Sequence, residues 1–214
     1  MMFRLALVLW ITVAPLMAAA ENLAFLVTVA TGDNPLAGAV VVLPRPAGET
    51  AVDASMLQKN RQFVPQVLVV PPGTGVKFPN RDNTQHHVYS FSPAKTFEIE
   101  LYAGVPEAPI RFDTTGVVEL GCNIHDSMQG FILVTDQQHG VTNESGQLTL
   151  DWPDDRPLPQ KVRVWHPRLA DTTALVEVAI HDTSGESIAL SLDVRPAPAT
   201  DSSLGRLQQR FREL

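Results

Sequence analysis

The chain has 214 residues, of which 44% are hydrophobic, and a formal net charge of −7, enough for one large domain or two small ones. That acidic balance excludes a general nucleic-acid binder, because nothing in it offsets phosphate repulsion. Seventeen prolines and thirteen glycines, spread among Val and Thr runs, point to strands and turns and argue against long helices.

Residues 1–20 read as a secretory signal peptide. Arg4 supplies the positive end, Leu5 to Leu16 the apolar stretch, and Ala18-Ala19-Ala20 a small-residue cleavage site. The apolar run falls short of the ~20 residues that span a bilayer, so no stable membrane span is expected after cleavage. The expected location is periplasmic or otherwise secreted.

Asn22 to Ala30 then predicts a strand, with a turn at Thr31-Gly32-Asp33-Asn34-Pro35. Ala39 to Leu43 predicts a second strand, closed by Pro44 and Pro46. Residues 47 to 60 are polar and aperiodic and predict a loop, with a short helix at most. Further strands are expected over Phe63 to Val70, Gly75 to Phe78, Val88 to Phe91, Thr96 to Leu101, Ile110 to Phe112, Val117 to Cys122 and Phe131 to Thr135. So many short strands between turn signals mean an all-β sandwich or barrel. Four more strands are expected at Gln147 to Trp152, Lys161 to Trp165, Leu175 to Ile180 and Ile188 to Val194. The last three alternate apolar with polar residues, as half-buried strands do. Residues 196–214 read as a Pro/Ala linker and a short amphipathic helix carrying Leu204, Leu207, Phe211 and Leu214 on one stripe.

Export favours paired cysteines, yet Cys122 is the only one and cannot form an internal disulfide. A lone thiol in an exported chain is a liability, an intermolecular link or a metal ligand. Its neighbours favour the last. Cys122, His125 and Met128 fall at i, i+3 and i+6 in a loop between two expected strands, and His86 stands where an upstream loop enters a strand. Two imidazoles, one thiolate and one thioether are the donor set of a blue-copper centre, in which a weak axial sulfur completes a trigonal plane. Structural zinc would require four strong ligands, which Met does not supply. Iron–sulfur clusters and c-type haem require more cysteines. His87 is a competing ligand. The alternation toward Val88 and Ser90 favours His86, because it puts that ring on the buried face.

At these residues the sequence resembles the cupredoxins, the plastocyanin and amicyanin family. The steps Cys122–His125–Met128 match the short ligand loop of amicyanin. Phe63-Val64-Pro65, Leu68-Val69-Val70, Gly73 and Val76-Lys77-Phe78-Pro79-Asn80 are similar to the family's opening strands. The resemblance implies a Greek-key cupredoxin β-sandwich over 49–136, with one type 1 copper ion held by His86, Cys122, His125 and Met128. It also implies a carrier of single electrons, with no catalysis of its own, whose His125 edge lies in an apolar surface patch. Partners would be exported redox proteins such as a cytochrome c or a dehydrogenase. The family often has Asn after its first ligand His, where this chain has His87. As a whole the chain is similar to cupredoxin-like proteins labelled methylamine utilization proteins, a label that does not establish methylamine as a substrate.

The flanks are similar to something else. Pro35 to Leu43, Thr142 to Leu150 and Val162 to Trp165 resemble separated pieces of a carboxypeptidase-regulatory-like sandwich. Segments 22–48 and 137–195 are therefore expected to form an additional small β-sandwich, with the copper module inserted between them.

The alternative function is a periplasmic copper-binding or copper-delivery protein, in which Met56 would offer a looser Cu(I) ligand. A copper oxidoreductase would require a second His cluster. His139, His166 and His181 are scattered and read as structural or surface residues. No nucleophile elbow, phosphate loop or paired carboxylate motif is present.

Overall fold

The structure, a computed structural model, describes residues 20–153, 156–181 and 185–197. Residues 1–19 of the expected signal peptide, Asp154-Asp155 and the C-terminal helix expected from the sequence lie outside the described residues. In chain order the strands are β1 (Ala20–Val29), β2 (Val40–Pro46), β3 (Ala54–Ser55), β4 (Leu57–Lys59), β5 (Gln62–Val64), β6 (Val67–Val70), β7 (Thr74–Lys77), β8 (His86–Ser92) and β9 (Lys95–Tyr102). They continue with β10 (Ile110–Phe112), β11 (Gly116–Leu120), β12 (Gly130–Val134), β13 (Gln137–Val141), β14 (Gln147–Pro153), β15 (Lys161–Trp165), β16 (Val176–Ala179) and β17 (Ile188–Leu192). The described residues are all-β, as expected, and none of them forms a helix long and apolar enough to cross a membrane.

Three details depart from the sequence reading. Residues 54–59 are not a loop with a short helix, because they form β3 and β4. Met56 and Gln58 are fully buried there while their neighbours face outward, so the segment reads as polar although alternate side chains are internal. The run Phe63 to Val70 divides at Pro65 into β5 and β6, which pair with different strands, β4 and β12. β13 was not expected at all. Its sequence Gln-Gln-His-Gly-Val carries little apolar signal, and it forms by pairing along β2.

The chain segments outside 49–136 close into a small sandwich of two sheets, β14-β1-β17 and β13-β2-β15-β16. Two distant stretches meet at its turn. Thr142 Oγ1 accepts from the Ala39 amide at 2.9 Å and donates to the Leu36 carbonyl at 2.6 Å. Gly146 beside it has φ +70°, and a Cβ there would lie 2.4 Å from the Val27 carbonyl, so only glycine fits.

The sheet β11-β12-β6 is shared between two hydrophobic cores. Because side chains alternate along a strand, Val117, Phe131 and Leu133 point into the flanking core with Phe25, Val41 and Trp165. Val118, Leu120, Ile132 and Val134 point the other way, toward Cys122 and Met128. All five residues of β12 are buried, which explains its continuous apolar run. The ligand loop that follows β11 is therefore mounted on a strand pair with both faces covered.

His166, just after β15, marks the flanking side of that junction. It is buried, its Nε2 faces the Ala37 carbonyl at 3.2 Å, and its Nδ1 accepts from the Arg168 amide at 3.1 Å. Burial pushes its pKa down from 6.5 to about 4; the Ala37 carbonyl opposes the shift and the Arg168 charge adds to it. The unfolded imidazole takes up its proton near pH 6.5 while the folded one resists to about 4. The stability this histidine permits is therefore whole above pH 6.5 and falls as the pH drops toward 4, by about 3 kcal/mol in all. Urea unfolding at pH 7 and pH 4.5 should show a shallower loss for His166→Gln than for the unmodified chain. Equal losses would contradict this account.

Candidate metal centre

His86 opens β8, and the loop before it is clamped at several points. Asn80 Nδ2 donates to the carbonyls of Thr84 (2.8 Å) and Tyr102 (3.1 Å), and its Oδ1 accepts the Asp82 amide at 2.9 Å. The β8–β9 register shifts between His86 and Val88, a local irregularity that re-aims the start of a strand. His86 is fully buried. Its Nε2 lies 2.8 Å from Asp82 Oδ2. An ionised carboxylate only accepts, so Nε2 donates to it, and in the neutral ring the lone pair is then on Nδ1. That lone pair faces Cys122, with Nδ1 3.9 Å from Sγ.

His87 points elsewhere. Its Nε2 bonds Glu98 Oε1 at 2.7 Å and its ring packs on Tyr89, across the strand from the thiol.

Cys122 is positioned by the residue before it. Gly121 exchanges backbone hydrogen bonds with Tyr89 at 3.0 and 3.1 Å. A Cβ on Gly121 would lie 2.6 Å from the Tyr89 ring, so the tyrosine comes this close only because the position is glycine. The loop then turns. The Met128 amide donates to the His125 carbonyl at 2.8 Å, and Gly130 admits Phe63 where a Cβ would come within 2.8 Å. His125 Nδ1 lies 4.0 Å from Cys122 Sγ, and the two imidazole rings are 5.0 Å apart. Cys122 and Met128 are both buried in one core cluster, while His125 is half-exposed.

The donor atoms of His86, Cys122 and His125 lie within 4.8 Å of one another. Zinc-site bond lengths of about 2.3 Å to sulfur and 2.0 Å to nitrogen sum to more than either sulfur–nitrogen separation, so a transition-metal ion placed between Cys122 Sγ and either imidazole nitrogen fits those distances. A soft thiolate with two imidazoles suits such an ion and does not suit calcium or magnesium.

Several residues around the centre were not singled out from the sequence. Asp82 works against its own burial, but the Arg61 amide, the His86 ring and the Asn60 amide outweigh that and hold its carboxyl below the ordinary 3.8. Tyr102 is pushed up to about 12, chiefly by burial, opposed by its Gln58 hydrogen bond and reinforced by Cys122. It stays protonated and donates to the Phe78 carbonyl at 2.6 Å. Glu119 joins the flanking sandwich to the ligand loop, since it accepts from Thr172 Oγ1 at 3.0 Å and from Gln129 Nε2. A groove of about 630 Å³ runs beside the loop between Phe91, Glu119, Met128 and Thr173. Met56 is buried inside the core. A carboxylate four residues before a candidate ligand was the one available signal for Asp82.

Part of the chain is similar in structure to known copper proteins. Over 42% of its length it matches the Cu-containing nitrite reductase from Thermus scotoductus SA-01, at 23% identity and a TM-score of 0.37, covering 25% of that protein. Over 39% it matches a purple cupredoxin from Nitrosopumilus maritimus, at 23% identity, a TM-score of 0.35 and 100% coverage of that chain. Over 47% it matches the amicyanin from Paracoccus versutus, at 16% identity, a TM-score of 0.33 and 100% coverage. The chain thus spans a quarter of the nitrite reductase and the full length of the two small proteins. No family model and no curated protein matches it.

Proposed function

We propose that this is an exported type 1 copper protein that carries single electrons between redox partners through a His86, Cys122, His125 and Met128 centre. The observation that carries the reading is the buried sulfur of Cys122 facing two imidazole nitrogens at 3.9 and 4.0 Å, with a buried thioether from the same loop. A copper ion bound there would supply a one-electron Cu(II)/Cu(I) couple. Around it, the protein keeps His86 and Cys122 away from water and fixes the His86 tautomer. It also leaves His125 half-exposed as the route to the surface. Ile124, beside His125, is exposed and apolar, and offers a transient docking contact for an exported partner such as a cytochrome c or a dehydrogenase.

The test is a Cu(II) titration of the chain from residue 21 onward, followed by visible absorption and electron paramagnetic resonance. An intense thiolate-to-copper band with narrow hyperfine splitting, saturating at one copper per chain, is expected. A pale, ordinary Cu(II) spectrum would overturn the proposal and favour copper delivery.

The two adjacent histidines give a sharper check. His86→Gln should weaken copper binding by at least about tenfold and bleach the band, since it removes a ligand. His87→Gln should leave the spectrum in place, because that ring serves Glu98. The reverse pattern would transfer the ligand role to His87.

A further inference from the structure

The hairpin between β4 and β5 turns in two residues, Asn60 and Arg61, both with positive φ (56° and 58°). Two consecutive positive-φ residues are the signature of a type I′ turn, which is normally built with glycine; this one uses none. Its two amides converge on one carboxylate. Asn60 N–H donates to Asp82 Oδ1 at 2.6 Å, and Arg61 N–H donates to Asp82 Oδ2 at 2.9 Å. The same Oδ2 receives His86 Nε2 at 2.8 Å. Asp82 has no freedom left, because its own amide is held by Asn80 at 2.9 Å. Its side chain is only 13% exposed, so solvent screens its charge weakly.

We propose that Asp82 is a positioning residue for the metal centre. Cradled by the Asn60–Arg61 turn, it locks His86 as an Nδ1 donor and biases the centre toward the oxidised, cupric ion. The proposal rests on the copper reading above. Paired backbone amides in a turn form a concave anion seat, so the turn holds a negative charge one imidazole away from the metal position. A carboxylate on the far nitrogen of a ligating histidine fixes the tautomer and raises the basicity of the ring. Both effects favour the more highly charged ion, so the lock lowers the reduction potential and keeps the ring oriented before metal arrives. The chain spends a glycine-free, positive-φ turn on this seat, and that turn is about twenty residues upstream of the carboxylate it serves.

The experiment compares Asp82→Asn, Asp82→Ala and Asn60→Gly by redox titration and, on the metal-free proteins, by ¹⁵N chemical shifts of the His86 ring. Asp82→Asn removes the charge and keeps a side chain of the same shape. It should shift the ratio of Cu(I) to Cu(II) affinity by about tenfold toward Cu(I), an upward move of about 59 mV, with the thiolate band retained. Asp82→Ala should weaken copper binding by about 10–100-fold and let the metal-free His86 sample both tautomers. Asn60→Gly keeps the amide and the turn and should leave potential and tautomer unmoved. A clamp with no influence on the centre would lower the melting temperature of the Asp82 variants without moving either readout, and that result would overturn the proposal. If Asp82→Ala does not fold, Asp82→Asn carries both measurements. Should the unmodified protein take up no copper, the copper reading fails, and the tautomer comparison on the metal-free proteins still decides the positioning role.

Discussion

Cys122→Ser is expected to give a folded protein without the intense visible band and with copper affinity lower by on the order of a hundredfold. In the proposed centre the band would arise from charge transfer between thiolate and metal, so an oxygen in that position removes its source outright. The hydroxyl is also a hard donor, and its loss of affinity should be greatest for Cu(I), which prefers soft sulfur. Folding should survive. The exchange keeps nearly the same volume in a buried site, and its cost is that of a buried hydroxyl, about 1–3 kcal/mol if it finds no partner. His86 Nδ1 already faces the position and can accept a hydrogen bond from the serine hydroxyl there. An absorption titration against the unmodified chain, with circular dichroism as the folding control, measures both. A serine variant that kept the colour would remove Cys122 from the centre and with it the whole assignment.

Phe131→Ala is expected to cost about 3–5 kcal/mol, the usual range for truncating a buried phenylalanine. The side chain is fully buried, and its ring meets Trp165 at 5.0 Å and 62°, an edge-on contact. It stands on the strand whose alternate residues serve the other core, next to Ile132 and three residues from Val134. The cavity it leaves opens into the flanking sandwich, yet β12 also carries the sheet that supports the ligand loop. The physical consequence is coupling: urea unfolding followed by tryptophan fluorescence and by the copper band should shift together to lower denaturant. Ile132→Ala, on the opposite face of the same strand, should cost about 2–5 kcal/mol and shift both signals in the same way. A Phe131→Ala protein whose fluorescence transition moved while its copper transition stayed in place would show that the two cores unfold independently.

The parts of the centre legible in the sequence are the local ones. Cys122, His125 and Met128 lie on one short loop, so their spacing alone keeps three candidate donors near one another wherever the rest of the chain goes. His86 was also legible, because alternation along a strand assigns it and His87 to opposite faces, and the structure has one ring toward Cys122 and the other toward Glu98. The all-β character followed from turn signals and apolar runs that need no partner to be read.

Features that depend on partners far apart in the chain were settled only by the tertiary structure. β12 reads as one apolar run whichever elements cover its two faces; only the packing shows the flanking sandwich on one face and the ligand side on the other. β13 looks polar because Gln137, Gln138, His139 and Gly140 carry no apolar side chain, and β4 because it buries only Gln58 fully; their strand conformation comes from pairing with β2 and β5. Asp82 is an ordinary loop aspartate until the Asn60–Arg61 turn arrives beside it, and Glu119 gains a role only when Thr172 and Gln129 converge on it. The sequence by itself determined which candidate ligands share one loop and where most of the apolar strands run, since those follow from residue type and short-range periodicity. Tertiary structure decided which charges and cores surround them, because a carboxylate's partner or a strand's second face is set by the global arrangement of the chain.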